Sequence, residues 1–336
     1  MLNLRRHRPY IWLHRPLRTA LVAALGAAAW CGAGTPSPPP TAGRETLRLG
    51  FSTSMFTGVN ENDAKASIKA LAATVVREHQ LPADPDPLLF NTTGAIAAAV
   101  RTGDVDAVAM TTEEYCEVAR EVRFDRYMMS VRKGDPTEEY LVLVRREGGP
   151  SDLAGLRGKR LSVFANPRMA IGSIWLAVAL AKAGLPPLAE HCGSVTEFTK
   201  LSKAVLNVFF RQTDACLVTR SGFATMTELN PQLGLQLRVL AASPAFVPVL
   251  FAFRADFAPG LKEESMRAMG SVHTSLAGQQ VLTIFQSGQV AERPAADLEG
   301  ALALLDDYAR LCPQASAARV AALRSKKGIT PVLTQP

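Results

Sequence analysis

Hydroxyl residues recur at the starts of helix-forming segments: Ser52, Thr53 and Ser54; Thr92 and Thr93; Thr111 and Thr112; Ser173; Thr219 and Ser221. At such positions backbone N–H groups lack intrahelical partners and the helix dipole is positive, so the chemistry on offer is anion binding. Arg168 and Arg220 fall on loops of the same kind and can clasp an oxyanion; a solvated loop arginine is the plainer alternative. Tyr115, one turn into its helix, can wall a cleft or simply pack. Each hydroxyl alone is better explained as a helix cap. Their recurrence on one edge favours a site, and the set is Ser52, Ser54, Thr93, Thr111, Thr112, Tyr115, Arg168, Ser173, Thr219 and Arg220.

Catalytic patterns are missing. The five histidines, His7, His14, His79, His191 and His273, are scattered. No G-x-S-x-G, H-E-x-x-H or phosphate-cradling glycine loop occurs. Glu113 and Glu114 read as helix-start charges that complement the dipole, and Asp106 and Asp214 as turn or cap residues at the far end of their strands. No Cys/His spacing suggests zinc. The expectation is a binding protein, not an enzyme, with no metal and no cofactor.

The elements that must position these residues repeat. Leu201 to Phe223, LSKAVLNVFFRQTDACLVTRSGF, reads as helix, strand, polar loop and helix, with Leu201, Val205 and Val208 on one helical face. Ala95 to Tyr115, AIAAAVRTGDVDAVAMTTEEY, says the same, and Asp106 and Asp214 open the two strands. Strands 47–51 and 160–164 form a second pair, each followed by a polar loop. Two similar α/β lobes follow, whose strands deliver polar loops to one edge, where open α/β sheets bind ligands.

A length of 336 residues suits two domains. The net charge of +7 is concentrated at the front: Arg5, Arg6, Arg8, Arg15 and Arg18 precede the first acid, Glu45, and 7 − 5 = +2 remains. With no basic field elsewhere, nucleic acid is not an expected partner. Those arginines precede the short apolar run 19–29, the pattern of a secretory signal peptide at 1–34, followed by a Pro-rich leader at 35–45. A lipid anchor at Cys31 is disfavoured by the bulky Trp30 before it. In an oxidising compartment Cys116, Cys192, Cys216 and Cys312 either stay as buried thiols or pair Cys116 with Cys312 and Cys192 with Cys216.

Further strands are expected at 88–90, 140–144, 237–241 and 249–253, and helices at 62–79, 172–183, 271–287 and 297–311. The stripe Leu298, Leu302, Leu305 and Tyr308 is expected to pack back onto the first lobe. Lobe 1 is then 46–139 plus 245–312, lobe 2 is 140–244, and 313–336 is a tail. The chain crosses between lobes near Tyr140 and again between Leu240 and Phe251, which makes a hinge.

From Thr46 to Leu311 the chain resembles the substrate-binding proteins of phosphate/phosphite/phosphonate ABC transporters, of the type II periplasmic binding protein fold. The stretches that carry this are LRLGFSTSMF at 47–56, DVDAVAMTTEEY at 104–115, DLAGLRGKRLSVF at 152–164, KAVLNVFFRQTDACLVTRSGF at 203–223 and LAGQQVLTIFQ at 276–286. The resemblance implies a monomeric α/β protein of two mainly parallel sheets with two crossover strands. It would hold a small anionic solute at helix starts in the interlobe cleft and hand it to a membrane permease in the periplasm. A stretch at 226–244 resembles a branch found beside signalling proteins, so a sensor acting with a histidine-kinase ectodomain is the alternative partner; an enzyme on this fold is the remoter one. One departure stands out. Where phosphonate binders carry a Ser/Thr-rich turn, this chain has Asn166-Pro167-Arg168-Met169-Ala170-Ile171-Gly172.

Overall fold

A computed structural model describes residues 46–56, 61–84, 86–132, 134–284 and 287–325; the expected signal and leader, with Cys31, and residues 326–336 lie outside the described residues. The first run comprises β1 (Leu49–Ser52), a 3-10 turn (Thr53–Phe56), α1 (Glu61–His79), β2 (Leu88–Phe90), α2 (Thr93–Thr102), β3 (Ala107–Thr111), α3 (Thr112–Val118) and β4 (Phe124–Val131). The second opens with β5 (Tyr140–Arg145), β6 (Arg160–Phe164), a 3-10 turn (Pro167–Met169), α4 (Gly172–Lys182) and α5 (Leu188–His191). It continues with β7 (Ser194–Phe198), α6 (Leu201–Phe209), β8 (Ala215–Thr219), α7 (Arg220–Leu229), α8 (Pro231–Gln236) and β9 (Leu237–Ala242). The last run is β10 (Val249–Arg254), α9 (Pro259–Ser271), α10 (Leu276–Ile284), β11 (Gln289–Arg293), α11 (Glu299–Leu311) and α12 (Pro313–Arg324).

Two sheets result, ordered β11-β4-β10-β3-β1-β2 and β7-β6-β8-β5-β9. Read from β2 and from β7 they match over five strands, three parallel, then the antiparallel crossover strand, β10 or β5, then a strand antiparallel to that; β11 is a sixth strand on the first sheet alone. The repeat extends to side chains. Asp106 accepts from Arg48 N at 2.8 Å and from the Arg48 guanidinium at 3.2 Å through each oxygen. Asp214 accepts from Arg160 N at 2.8 Å and from its guanidinium at 3.2 and 3.3 Å. Each aspartate thus clamps the strand beside its own, a stronger role than the turn or cap the sequence suggested.

The helix expected over 271–287 is instead a 3-10 turn followed by α10, and α9 precedes it. β4, β7 and β11 are additions. β4 carries Asp125 and Arg126 in its first half, charges that hide a strand until their partners Lys262, Glu263 and Glu292 are in place. The expectation that the last stripe packs wholly on the first lobe is corrected by α11. Leu298 and Leu302 do join the first sheet's cluster, but Ala301, Leu304, Leu305 and Tyr308 join the second's, with Ile174, Trp175 and Val178 of α4. The two edges of one helix face two cores. Among the described residues Cys116, Cys192, Cys216 and Cys312 are all free, so neither expected pair forms; burial pushes the Cys192 thiol up to about 11.

The two clamps differ in exposure, since the Asp106 side chain is 0% exposed and that of Asp214 is 32%. Asp106 also accepts from Arg254 Nε at 2.9 Å. Asp106→Asn should therefore cost about 3 kcal/mol, because a buried partner of two guanidinium groups is lost. Asp214→Asn should cost about 1 kcal/mol, and urea unfolding of the two variants reads the difference. Hydrogen bonding to Arg160 holds the Asp214 carboxyl below the ordinary carboxylate range. Its stabilisation is present above the unfolded value of about 3.9 and is lost as pH falls through the lower folded value.

Candidate functional site

β1 and β3 end side by side and deliver Ser52, Ser54 and Thr111 to one place, where Glu114 takes all three. Its Oε1 accepts from Ser52 Oγ at 2.5 Å and Ser54 Oγ at 2.7 Å; its Oε2 accepts from Thr111 N at 2.9 Å and Thr111 Oγ1 at 3.1 Å. Thr111 in turn caps α3 by accepting from Glu114 N at 3.2 Å, which completes a capping box. Glu114 is buried, and among the described residues no lysine, arginine or histidine pairs with it. Four donors replace the water that a carboxylate loses on burial.

In the second sheet Thr219 caps α7 by accepting from Gly222 N at 3.2 Å. A Cβ at Gly222 would lie 2.8 Å from Thr219 Oγ1 and 2.5 Å from the end of the Leu201 side chain, so a larger residue would have to displace the cap or Leu201. The carboxylate here comes from the crossover. Glu138 accepts from Ser221 N at 3.2 Å, Ser221 Oγ at 2.7 Å and Arg168 Nε at 3.2 Å. Arg168 and Glu138 are both about 4% exposed. Tyr140 Oη donates to Arg168 O at 3.0 Å, which holds the turn carrying the arginine. The two crossovers run together: Glu138 and Phe246 exchange both backbone hydrogen bonds, and Tyr140 N donates to Ser243 Oγ.

The sheets meet through these groups. Arg168 Nη1 donates to Ser130 Oγ on β4 at 3.3 Å, and Arg132, just beyond β4, donates from Nη1 to Ser221 Oγ at 3.3 Å. Burial, and secondarily the Arg168 charge, pulls Arg132 below an ordinary arginine. The Thr53–Phe56 turn lies against the Pro167–Met169 turn.

Of the ten residues selected from sequence, Ser52, Ser54, Thr111, Arg168 and Thr219 stand at these strand ends. Ser173 is half-buried in the first turn of α4. Thr112 Oγ1 donates to Val247 O at 2.5 Å and Thr93 Oγ1 to Leu323 O at 3.3 Å. Tyr115 packs edge-on against Tyr127 with its hydroxyl 2.9 Å from that of Tyr127, and Arg220 turns outward to Glu139 at 2.7 Å. Glu114, Glu138, Arg132 and Ser130 were not selected. Only Glu114 left a signal, as the fourth residue of T-x-x-E.

Residues 313–324, expected to be tail, form α12, whose Arg319 pairs with Glu113 through Nε and donates from Nη2 to Ala170 O at 3.1 Å. One side chain thus joins α3 to the loop after β6. Arg319→Ala should raise amide hydrogen exchange in α3 and in the Pro167–Met169 turn together, at a cost of about 1–2 kcal/mol. Glu138→Gln should cost about 3 kcal/mol, because Arg168 is left buried beside an uncharged partner. In a urea-denaturation cycle, Glu138→Gln with Arg168→Met should cost less than the sum of the singles.

Comparison with known proteins agrees with this architecture. The Xanthomonas citri protein XAC2383 bound to chloride ion is 15% identical, with a TM-score of 0.56 over 82% of this chain and 99% of its own. PhnD1 from Prochlorococcus marinus in complex with methylphosphonate is 14% identical, with a TM-score of 0.54 over 80% and 98%. A binding protein component of an ABC phosphonate transporter from Pseudomonas aeruginosa is 14% identical, with a TM-score of 0.52 over 83% and 94%. At these identities the likeness establishes the fold, that of a type II periplasmic binding protein. No curated protein sequence matches. Among the described residues no group of three or more His, Cys, Asp or Glu side chains is placed to hold a metal, and no helix is long and apolar enough to cross a membrane. Residues 55–298, well over half the chain, match the family of ABC transporter phosphonate periplasmic substrate-binding proteins, and to that family the chain belongs.

Proposed function

We propose that this chain is the exported, monomeric solute-binding component of an ABC-type uptake system and closes its two sheets on a small solute bearing an anionic group. The family supports solute binding and delivery to a permease. One observation carries the finer reading: Arg132 and Arg168, from different sheets, each reach across the seam to a hydroxyl of the other sheet at 3.3 Å. These are long hydrogen bonds between groups better suited to an oxyanion, and a solute entering an opened seam would replace them. The crossovers through Glu138 and Phe246 are the hinge in this reading. The Thr219 hydroxyl, whose oxygen accepts from Gly222 N, keeps its proton as a further donor on the α7 side.

A thermal-shift screen of residues 44–336 against methylphosphonate, phosphate, phosphite, alkylsulfonates and carboxylates tests this, since a ligand of the folded state raises the melting temperature. At least one should do so. The same solute should reduce the radius of gyration in X-ray scattering, and Arg132→Gln should weaken it about 10- to 100-fold by removing a charged donor. If no anion shifts the protein, the anionic solute is wrong. A shift without compaction would sink hinge closure alone.

A further inference from the structure

The cradle formed by Ser52, Ser54 and Thr111 offers three hydroxyls and one backbone N–H, all aimed at two oxygens of a single carboxylate. Its donors come from two separate segments, the end of β1 with its following turn and the end of β3. The two serine hydroxyls, at 2.5 and 2.7 Å, and Thr111 N, at 2.9 Å, converge at the distances of charge-assisted hydrogen bonds, with Thr111 Oγ1 somewhat longer at 3.1 Å. The charge they meet is buried and, among the described residues, has no cationic partner. A capping box explains only half of this. It needs the Thr111 hydroxyl and the Thr111 N–H, but it gives no reason for Ser52 and Ser54 to turn onto the same carboxylate.

We propose that Glu114 fills an oxyanion cradle with its own carboxylate and is thereby the residue that sets what the cleft refuses. This rests on the interlobe seam being the solute site. A second anionic group arriving at β1 would meet a negative charge at short range and donors already engaged. The solute is then one with an anionic end, met by Arg132 and Arg168, and a neutral or cationic far end. Compounds carrying an anion at both ends are excluded.

The test is chemical rescue of Glu114→Ala, which removes the resident carboxylate and leaves its four donors in place. Formate or acetate is the probe, with chloride at equal ionic strength as control. The variant should melt lower than the parent chain. Formate at about ten times its dissociation constant should recover about 3 °C, whereas chloride should not, and the parent should gain less than 1 °C. If Glu114→Ala is unfolded at room temperature, the same salts are added and far-UV circular dichroism is read, with folding restored by formate but not chloride.

Glu114→Ala combined with Arg132→Gln separates this cradle from the arginine side. Rescue that persists in the double variant places the added carboxylate among Ser52, Ser54 and Thr111, even if the anion screen of the parent fails. Rescue that disappears with Arg132, recovery by chloride equal to that by formate, or an equal shift in the parent would each overturn the assignment. Refusal is read directly as well: a bis-anionic solute such as a phosphonocarboxylate should bind Glu114→Ala at least 10-fold more tightly than the parent. Equal affinities would remove Glu114 as a determinant of specificity.

Discussion

Glu138 and Arg168 form an ion pair almost wholly withdrawn from water, and the rest of the molecule is arranged to permit it. Each charge would be costly to bury alone. Glu138 is held by backbone exchange with Phe246, so its carboxylate is fixed where the chain passes between sheets. Arg168 is fixed from the other side by Tyr140, Ser130 and the Asn166 cap. Because Glu138 also takes the N–H and hydroxyl of Ser221, the pair sets the position of α7 as well as that of the turn after β6. Crossover, turn and helix start therefore share one electrostatic anchor, and none of the three can move far without exposing or stranding a charge.

The same device recurs in the other sheet with a different source of charge. Helix starts that follow a central strand are electropositive and rich in unpaired donors. In α3 the neutralising carboxylate is local, three residues into the cap; at α7 it is borrowed from the crossover. The sheets match over five strands and in their clamps, yet they satisfy their helix starts independently. That difference, more than the shared fold, distinguishes the two walls of the seam.

Much of the architecture was legible because it is written in short-range patterns. The repeat of apolar strand, polar loop and helix located β1, β3, β6 and β8, and the aspartates Asp106 and Asp214 marked the repeat before their role as clamps was visible. Resemblance to phosphonate-transporter binding proteins, read from five stretches, agrees with the family found over 55–298. What was hidden depends on contacts distant in sequence. β4 is disguised by charges whose partners lie more than 130 residues away. β7 is a mostly exposed edge strand with little apolar alternation. The positions of Ser52, Ser54, Thr111, Arg168 and Thr219 at strand ends could be inferred, but their partners could not, because a periodicity says where a hydroxyl stands and not which carboxylate it will find.

α11 has a bearing on how the chain acquires its structure in time. Its Ala301, Leu304 and Tyr308 complete a core whose other buried members lie between Tyr140 and Phe246, while β10 and β11 complete a sheet begun at Leu49. Neither lobe is an autonomous stretch of sequence. A chain emerging from the ribosome, or threading through a channel, has both cores unfinished until residues beyond 300 are available. The late contacts span long loops, which slows their formation. The interleaving therefore ties completion of both cores to the same late stretch of chain.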